Sequence, residues 1–217
     1  MTNKILRILF QGDSVTDEER DRSDPHHLGK GHAKFTAELL REHYGERKEF
    51  EFINLGISGN KSEDLYERWQ EDCIALKPDI VCFMVGINDV WHCYNHGLDI
   101  TPEQYGENCE KMFVALQEKT DARLVVMEPF LLDNPEKPFR ERLDPNIDKI
   151  RALSFKYADE YVPLDGLMTA AAIHFPKDEL TYDGVHPREK GARIIARFAA
   201  DAIISTINKC FADKISD

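Results

Sequence analysis

Residues 5–17 read ILRILFQGDSVTD: a short apolar run broken only by Arg7, then Gln11, then Gly12-Asp13-Ser14. A run rich in Ile, Leu and Phe that closes on glycine and aspartate is the pattern of a buried strand ending in a turn. Ser14 can be an ordinary turn former, as Gly, Asp and Ser often are. It can also be a nucleophile lifted above a strand end. The rest of the chain has to supply a base, an orienting acid and oxyanion donors before the second reading holds.

Working outward, the same kind of run recurs as FEFINL (50–55), DIVCFMV (79–85), ARLVVME (122–128) and YVPLD (161–165). Between these runs apolar residues repeat at helical spacing, at Phe35, Leu39, Leu40 and Tyr44 in 31–44 and at Leu65, Tyr66, Trp69, Cys73 and Leu76 in 62–76. Thr101-Pro102 and Asp144-Pro145 are cap-and-first-position pairs, predicting helices over 102–118 and 145–159, and a last helix is predicted over 188–208. Nearly continuous apolar strands alternating with helices imply a parallel sheet covered on both faces. The expected architecture is α/β: a three-layer α/β/α sandwich around about five parallel strands, forming one domain over 1–217. The three-proline segment PFLLDNPEKPFRER (129–142) is expected to be a surface loop over the strand ends.

Composition narrows the partners. A chain of 217 residues buries roughly 70% of its unfolded surface and needs no disulfide or metal to hold it. The net charge of −12 argues against nucleic acid and anionic membranes as partners. No stretch approaches a membrane helix in length, and the N-terminal apolar run is too short for a signal-peptide core. Five cysteines without a CxxC pair read as reduced thiols of a cytoplasmic protein.

Four junctions carry polar, glycine-rich turns: GDSVTD (12–17), LGISGNKS (55–62), GINDVW (86–91) and TYDGVHPREKG (181–191). The first three follow predicted strands and so share one edge of a parallel sheet. In the last, Asp183 stands three residues before His186, a spacing that lets a carboxylate reach the imidazole Nδ1–H and fix its tautomer. The other ring nitrogen is then free to take a proton from a serine hydroxyl, which is otherwise a weak nucleophile.

In order and spacing these four blocks resemble those of the SGNH hydrolases, also called GDSL-type esterases. That resemblance implies a flavodoxin-like fold, with Ser14 as nucleophile and Asp183 and His186 completing a triad. It also implies an oxyanion hole made by the N–H groups of Ser14 and Gly59 and the side-chain amide of Asn88. FQGDSVTDEER, GISGNKSEDLYERWQEDCIALKPD and VGINDVW are similar to the subgroup containing acetylxylan esterases. The activity implied is removal of acetyl groups from small carbohydrates such as xylo-oligosaccharides, with no metal or organic cofactor. Subgroup members often carry Trp before the triad Asp; Tyr182 stands there in this chain, so the wall of the acyl pocket differs. Such members are often homo-oligomers, a state that nothing in composition indicates. A lipase, lysophospholipase or thioesterase on the same scaffold is the alternative, with PFLL of the 129–142 loop building a longer acyl channel. A non-catalytic carbohydrate-binding relative is another, disfavoured by the intact Ser14, Asp183 and His186.

Other residues have plainer readings. Ser58 lacks the G-x-S-x-G frame of an α/β-hydrolase elbow and reads as a turn serine. Asp13 is expected beside the substrate while hydrogen-bonding its own loop; Asp17 and Arg20 are expected to pair or to order the first helix, and Asp89 to accept structural hydrogen bonds. Trp91 offers an aromatic face to a sugar ring or acyl chain, whereas Trp69 belongs to a core stripe. His92, Cys93 and His96 have metal-ligand spacing if helical but lack the Glu of H-E-x-x-H. His26, His27 and His32 are read as residues of an exposed loop.

Overall fold

The computed structural model describes residues 5–212; Met1–Lys4 and residues 213–217 of the expected 1–217 domain lie outside the described residues. Five strands, β1 (Leu6–Gly12), β2 (Phe50–Asn54), β3 (Ile80–Met84), β4 (Arg123–Met127) and β5 (Glu160–Val162), form one sheet in the order β2-β1-β3-β4-β5. Every pairing is parallel, with Ile8 opposite Phe52 on one side and Ile80 on the other. The elements outside the sheet are α1 (Ser14–Asp17), α2 (His32–Tyr44), α3 (Ser62–Asp72), α4 (Ile87–His96) and α5 (Pro102–Lys119). They continue as α6 (Arg140–Tyr157), α7 (Leu164–His174), α8 (Lys177–Leu180) and α9 (Glu189–Cys210).

Strand side chains alternate between two cores, as the two-residue period of a strand requires. Leu6, Ile8, Phe10, Ile80, Cys82 and Met84 pack with Leu40 of α2 and Ile195, Ala199 and Ile203 of α9. Leu9, Val81, Phe83, Leu124 and Val126 pack on the other side with Leu65 and Trp69 of α3, Met112 and Phe113 of α5 and Ile150 of α6. The strand order explains this split. From β1 the chain steps outward to β2, then moves the other way through β3, β4 and β5. Right-handed crossovers therefore place α2 on one face and α3, α5 and α6 on the other, and α9 fills the space beside α2. Each fully buried Leu, Ile or Phe contributes about 1.5–3 kcal/mol relative to exposure.

Several boundaries differ from the sequence reading. The helix expected from Asp144-Pro145 begins five residues earlier, at Arg140, so Pro145 lies inside α6. Burial of Phe139 and Leu143 stabilises the added turn, in which the Leu143 N–H donates to the Phe139 carbonyl at 2.8 Å. The helix expected over 62–76 stops at Asp72, where Cys73 leaves helical geometry, and gives way to a 3-10 turn, Ile74–Leu76, which ends at Lys77 ahead of Pro78. The fifth strand is cut short at Val162 by Pro163, and α7 follows at once. The 129–142 segment is only partly a surface loop: Phe130, Leu131, Leu132 and Phe139 are all buried in the core.

Candidate active site

β1 and β3 are neighbours in the sheet although the chain reverses between them, and a crevice opens at the carboxyl ends of such strands. Ser14 follows β1 and Asn88 lies four residues past β3, so both stand over this crevice. Gly12 makes the approach possible: a Cβ there would meet the Met84 carbonyl oxygen and Thr16 Oγ1, each at 2.4 Å. Asp13 then caps the single turn of α1, its Oδ1 accepting from the Val15 N–H at 3.1 Å. Ser14 occupies the first helical position, where the backbone N–H has no intrahelical acceptor.

The turn at 181–187 approaches from the opposite end of the chain. It is closed by the Tyr182 N–H donating to the His186 carbonyl at 2.8 Å and by a bridge between Thr181 and Pro187. Inside it, Asp183 Oδ1 accepts from the N–H groups of Val185 (3.0 Å) and His186 (2.8 Å). Asp183 Oδ2 lies 2.9 Å from His186 Nδ1, and His186 Nε2 lies 3.0 Å from Ser14 Oγ. With the carboxylate taking the Nδ1 proton, Nε2 presents a lone pair to the hydroxyl. The bond to Asp183 raises the His186 pKa above 6.5, against the opposing effect of burial. Burial pushes Asp183 up, but its bonds to His186, Lys137 and the turn backbone outweigh this and hold it well below the usual carboxylate range.

Gly59 lies in the loop after β2, with φ +89°, a conformation that favours glycine. That loop is tied to the strand by the Ile57 N–H donating to the Gly12 carbonyl at 3.1 Å. Asn88 joins it from the other side, its Nδ2 donating to the Asn60 carbonyl at 3.1 Å. Beneath, Asp89 accepts from the Ser62 N–H at 3.0 Å and from its hydroxyl at 2.5 Å, pinning the start of α4 to the start of α3.

The remaining expectations divide. Asp13, expected beside the substrate, is only 1% exposed; as the cap of α1 its carboxylate is turned under Ser14, and burial raises its pKa to about 7. Trp91 stands at the site, its ring 5.6 Å from that of His186. Tyr182 is largely exposed and has the Arg188 guanidinium 4.1 Å over its ring. Asp17 pairs with Arg22 rather than Arg20, at 2.5 Å, and also accepts from the Ser58 N–H; Arg20 donates instead to the Gly56 carbonyl. His32 is buried against Thr16, not exposed. His92 and His96 do face each other on α4, but Cys93 donates to the Asp89 carbonyl at 3.1 Å. Among the described residues no three His, Cys, Asp or Glu side chains are grouped to hold a metal, and no helix is long and apolar enough to cross a membrane.

Two residues at the site had no signal in the sequence. Lys137 contacts both Asp183 and Trp91. Glu18, with φ +37°, is half-buried near His186; burial pushes its carboxyl up to about 7 despite the attraction of that imidazole. Each sits among ordinary loop residues, and only the fold brings it to the crevice.

Comparison with known proteins agrees with this geometry. Residues 10–194 match the GDSL-like Lipase/Acylhydrolase family. The chain is 32% identical over 199 residues to an acetylxylan esterase of Geobacillus stearothermophilus, covering 88% of this chain and 90% of that protein. A Parabacteroides merdae protein assigned as a GDSL-like lipase superposes with a TM-score of 0.88 at 33% identity, over 93% of this chain and 97% of its own. The crystal structure of an acetylxylan esterase of G. stearothermophilus gives a TM-score of 0.83 at 28% identity, over 94% and 96%. The match spans the sheet and all four turns that converge on the crevice, so the chain belongs to the GDSL-like lipase/acylhydrolase family and is a carboxylic ester hydrolase.

Proposed function

We propose that the chain is a single catalytic domain that removes acetyl groups from small carbohydrates such as acetylated xylo-oligosaccharides, through an acyl-enzyme formed on Ser14. The observation that carries the reading is the continuous contact from Ser14 Oγ through His186 to Asp183 Oδ2, with steps of 3.0 and 2.9 Å. Ser14 attacks the ester carbonyl while His186 Nε2 accepts its proton. The tetrahedral oxyanion is held by the N–H groups of Ser14 and Gly59 and the Asn88 amide, donors fixed before the charge develops. His186 then protonates the departing sugar hydroxyl. Water repeats the sequence and releases acetate, and no step calls for a metal or organic cofactor.

Two observations support a short acyl chain on a sugar. Phe130, Leu131 and Leu132, the apolar residues available for a longer acyl channel, are each 1–2% exposed and committed to the core. Trp91, beside His186, offers a flat apolar surface of the kind that receives a sugar ring. The similarity to an acetylxylan esterase points the same way. The five cysteines are free thiols, three of them buried, which fits a cytoplasmic location.

The test compares acetate release from acetylated xylo-oligosaccharides with hydrolysis of medium-chain esters, acyl-thioesters and phospholipids, using wild type and Ser14→Ala. The expected result is a preference for acetyl esters and a loss of about 10⁴–10⁶ in kcat for Ser14→Ala. Turnover by the variant at the wild-type rate would remove the nucleophile assignment. Preference for acyl chains beyond about four carbons would remove the sugar-deacetylase reading alone, since the apolar space behind it scales with chain length.

A further inference from the structure

The segment Leu132–Pro138 crosses over the turn that carries Asp183 and His186 and grips it at several points. The Leu132 N–H donates to the Gly184 carbonyl at 2.8 Å, and Asn134 Nδ2 donates to the Asp183 carbonyl at 2.8 Å. Lys137 Nζ donates to Asp183 Oδ2 at 2.5 Å and to the Asp183 carbonyl at 2.9 Å, and lies 4.3 Å from the centre of the Trp91 ring. An ammonium has three N–H bonds. A carboxylate oxygen, a carbonyl oxygen and an indole face occupy all three directions, and the side chain is only 13% exposed. A lysine this confined is a fixed charge rather than a solvated one.

Its place matters because Asp183 Oδ2 is also the atom that faces His186 Nδ1. We propose that Lys137 is a positioning residue for the ester hydrolysis: it anchors Asp183 and Trp91 together, and its charge keeps the His186 imidazole in the neutral form that accepts a proton. This rests on the assignment of Ser14, His186 and Asp183 made above. Among the described residues, the charged and titratable groups that act on His186 most strongly include Asp183 on its own turn, Lys137 from the crossing segment, Asp13 from the turn after β1 and Glu18 at the end of α1. Asp183, and Asp13 and Glu18 when ionised, favour the imidazolium, and Lys137 opposes it.

The test is the pH dependence of kcat/KM for p-nitrophenyl acetate in wild type, Lys137→Met and Lys137→Arg, with the His186 imidazole titrated in parallel by NMR. Methionine keeps the length and the contact with Trp91 while removing the charge. In Lys137→Met the acid limb and the NMR midpoint are expected to rise by roughly 0.5–1 pH unit, a charge effect of ordinary size for a neighbouring group. The variant then loses about 3–10-fold more activity at pH 6 than at pH 8.5, and Lys137→Arg restores the midpoint. Should Lys137→Met fail to fold, Lys137→Gln is titrated in its place. A uniform loss of activity with an unmoved midpoint would show a merely structural lysine and overturn the proposal. Labelling of Ser14 by a serine-directed phosphonate keeps the two readings apart. If Ser14 is labelled and the midpoint is unmoved, only the role of Lys137 falls; if Ser14 is not labelled, the assignment beneath it falls as well.

Discussion

Asn88 donates one amide hydrogen to the Asn60 carbonyl and is 6% exposed, so its side chain is held in place. In the proposed mechanism the other amide hydrogen meets the developing charge with little reorganisation. Asn88→Ala is accordingly expected to lower kcat by about 10²–10³ with KM little changed, as steady-state kinetics on an acetyl ester will show. The contact of Ser14 with His186 and Asp183 was legible because each sits in a short block whose residue types suit a polar turn. Lys137 and Glu18 were not, because a charged residue in a polar loop looks the same whether it faces solvent or another loop. The hydrogen bond of Asp13 to its own loop was legible as turn chemistry, but its burial was not, because that comes from the cap of α1 turning the side chain inward.

Helices whose ends carry their own stop and start chemistry were placed well. Thr101 and Gln104 form a reciprocal cap on α5, the Gln104 N–H donating to Thr101 Oγ1 at 3.2 Å and the Thr101 N–H to Gln104 Oε1 at 2.9 Å. Thr101→Ala is expected to lower unfolding free energy by about 1 kcal/mol in urea denaturation, without altering kcat. α6 was misread because its proline suggested a first turn, whereas burial of Phe139 and Leu143 extends the helix ahead of it. α7 was overlooked because it begins one residue after Pro163, inside the run taken for the end of a strand. In both cases tertiary burial outweighs the local signal, and burial is not visible in a window of a few residues.

Across the whole molecule, the cost of burying a titratable group sets how stability depends on pH. His32, wedged between β1 and the first residues of α1, is 1% exposed, and its Nδ1 has no hydrogen-bond partner. Burial lowers its pKa from 6.5 to about 4. Between those values the unfolded chain binds a proton that the folded protein refuses, so stability is lost as pH falls through this window. On moving from pH 7 to pH 4, wild type is expected to lose on the order of 3 kcal/mol more than His32→Gln, read from chemical denaturation at each pH. The contact between Ser14 and His186 joins positions 172 residues apart, one following β1 and the other preceding α9. No fragment that lacks either end can assemble it. Ester turnover should therefore report global folding: during refolding from denaturant it returns only when β1 and the 181–187 turn have come together, never ahead of the full circular dichroism signal.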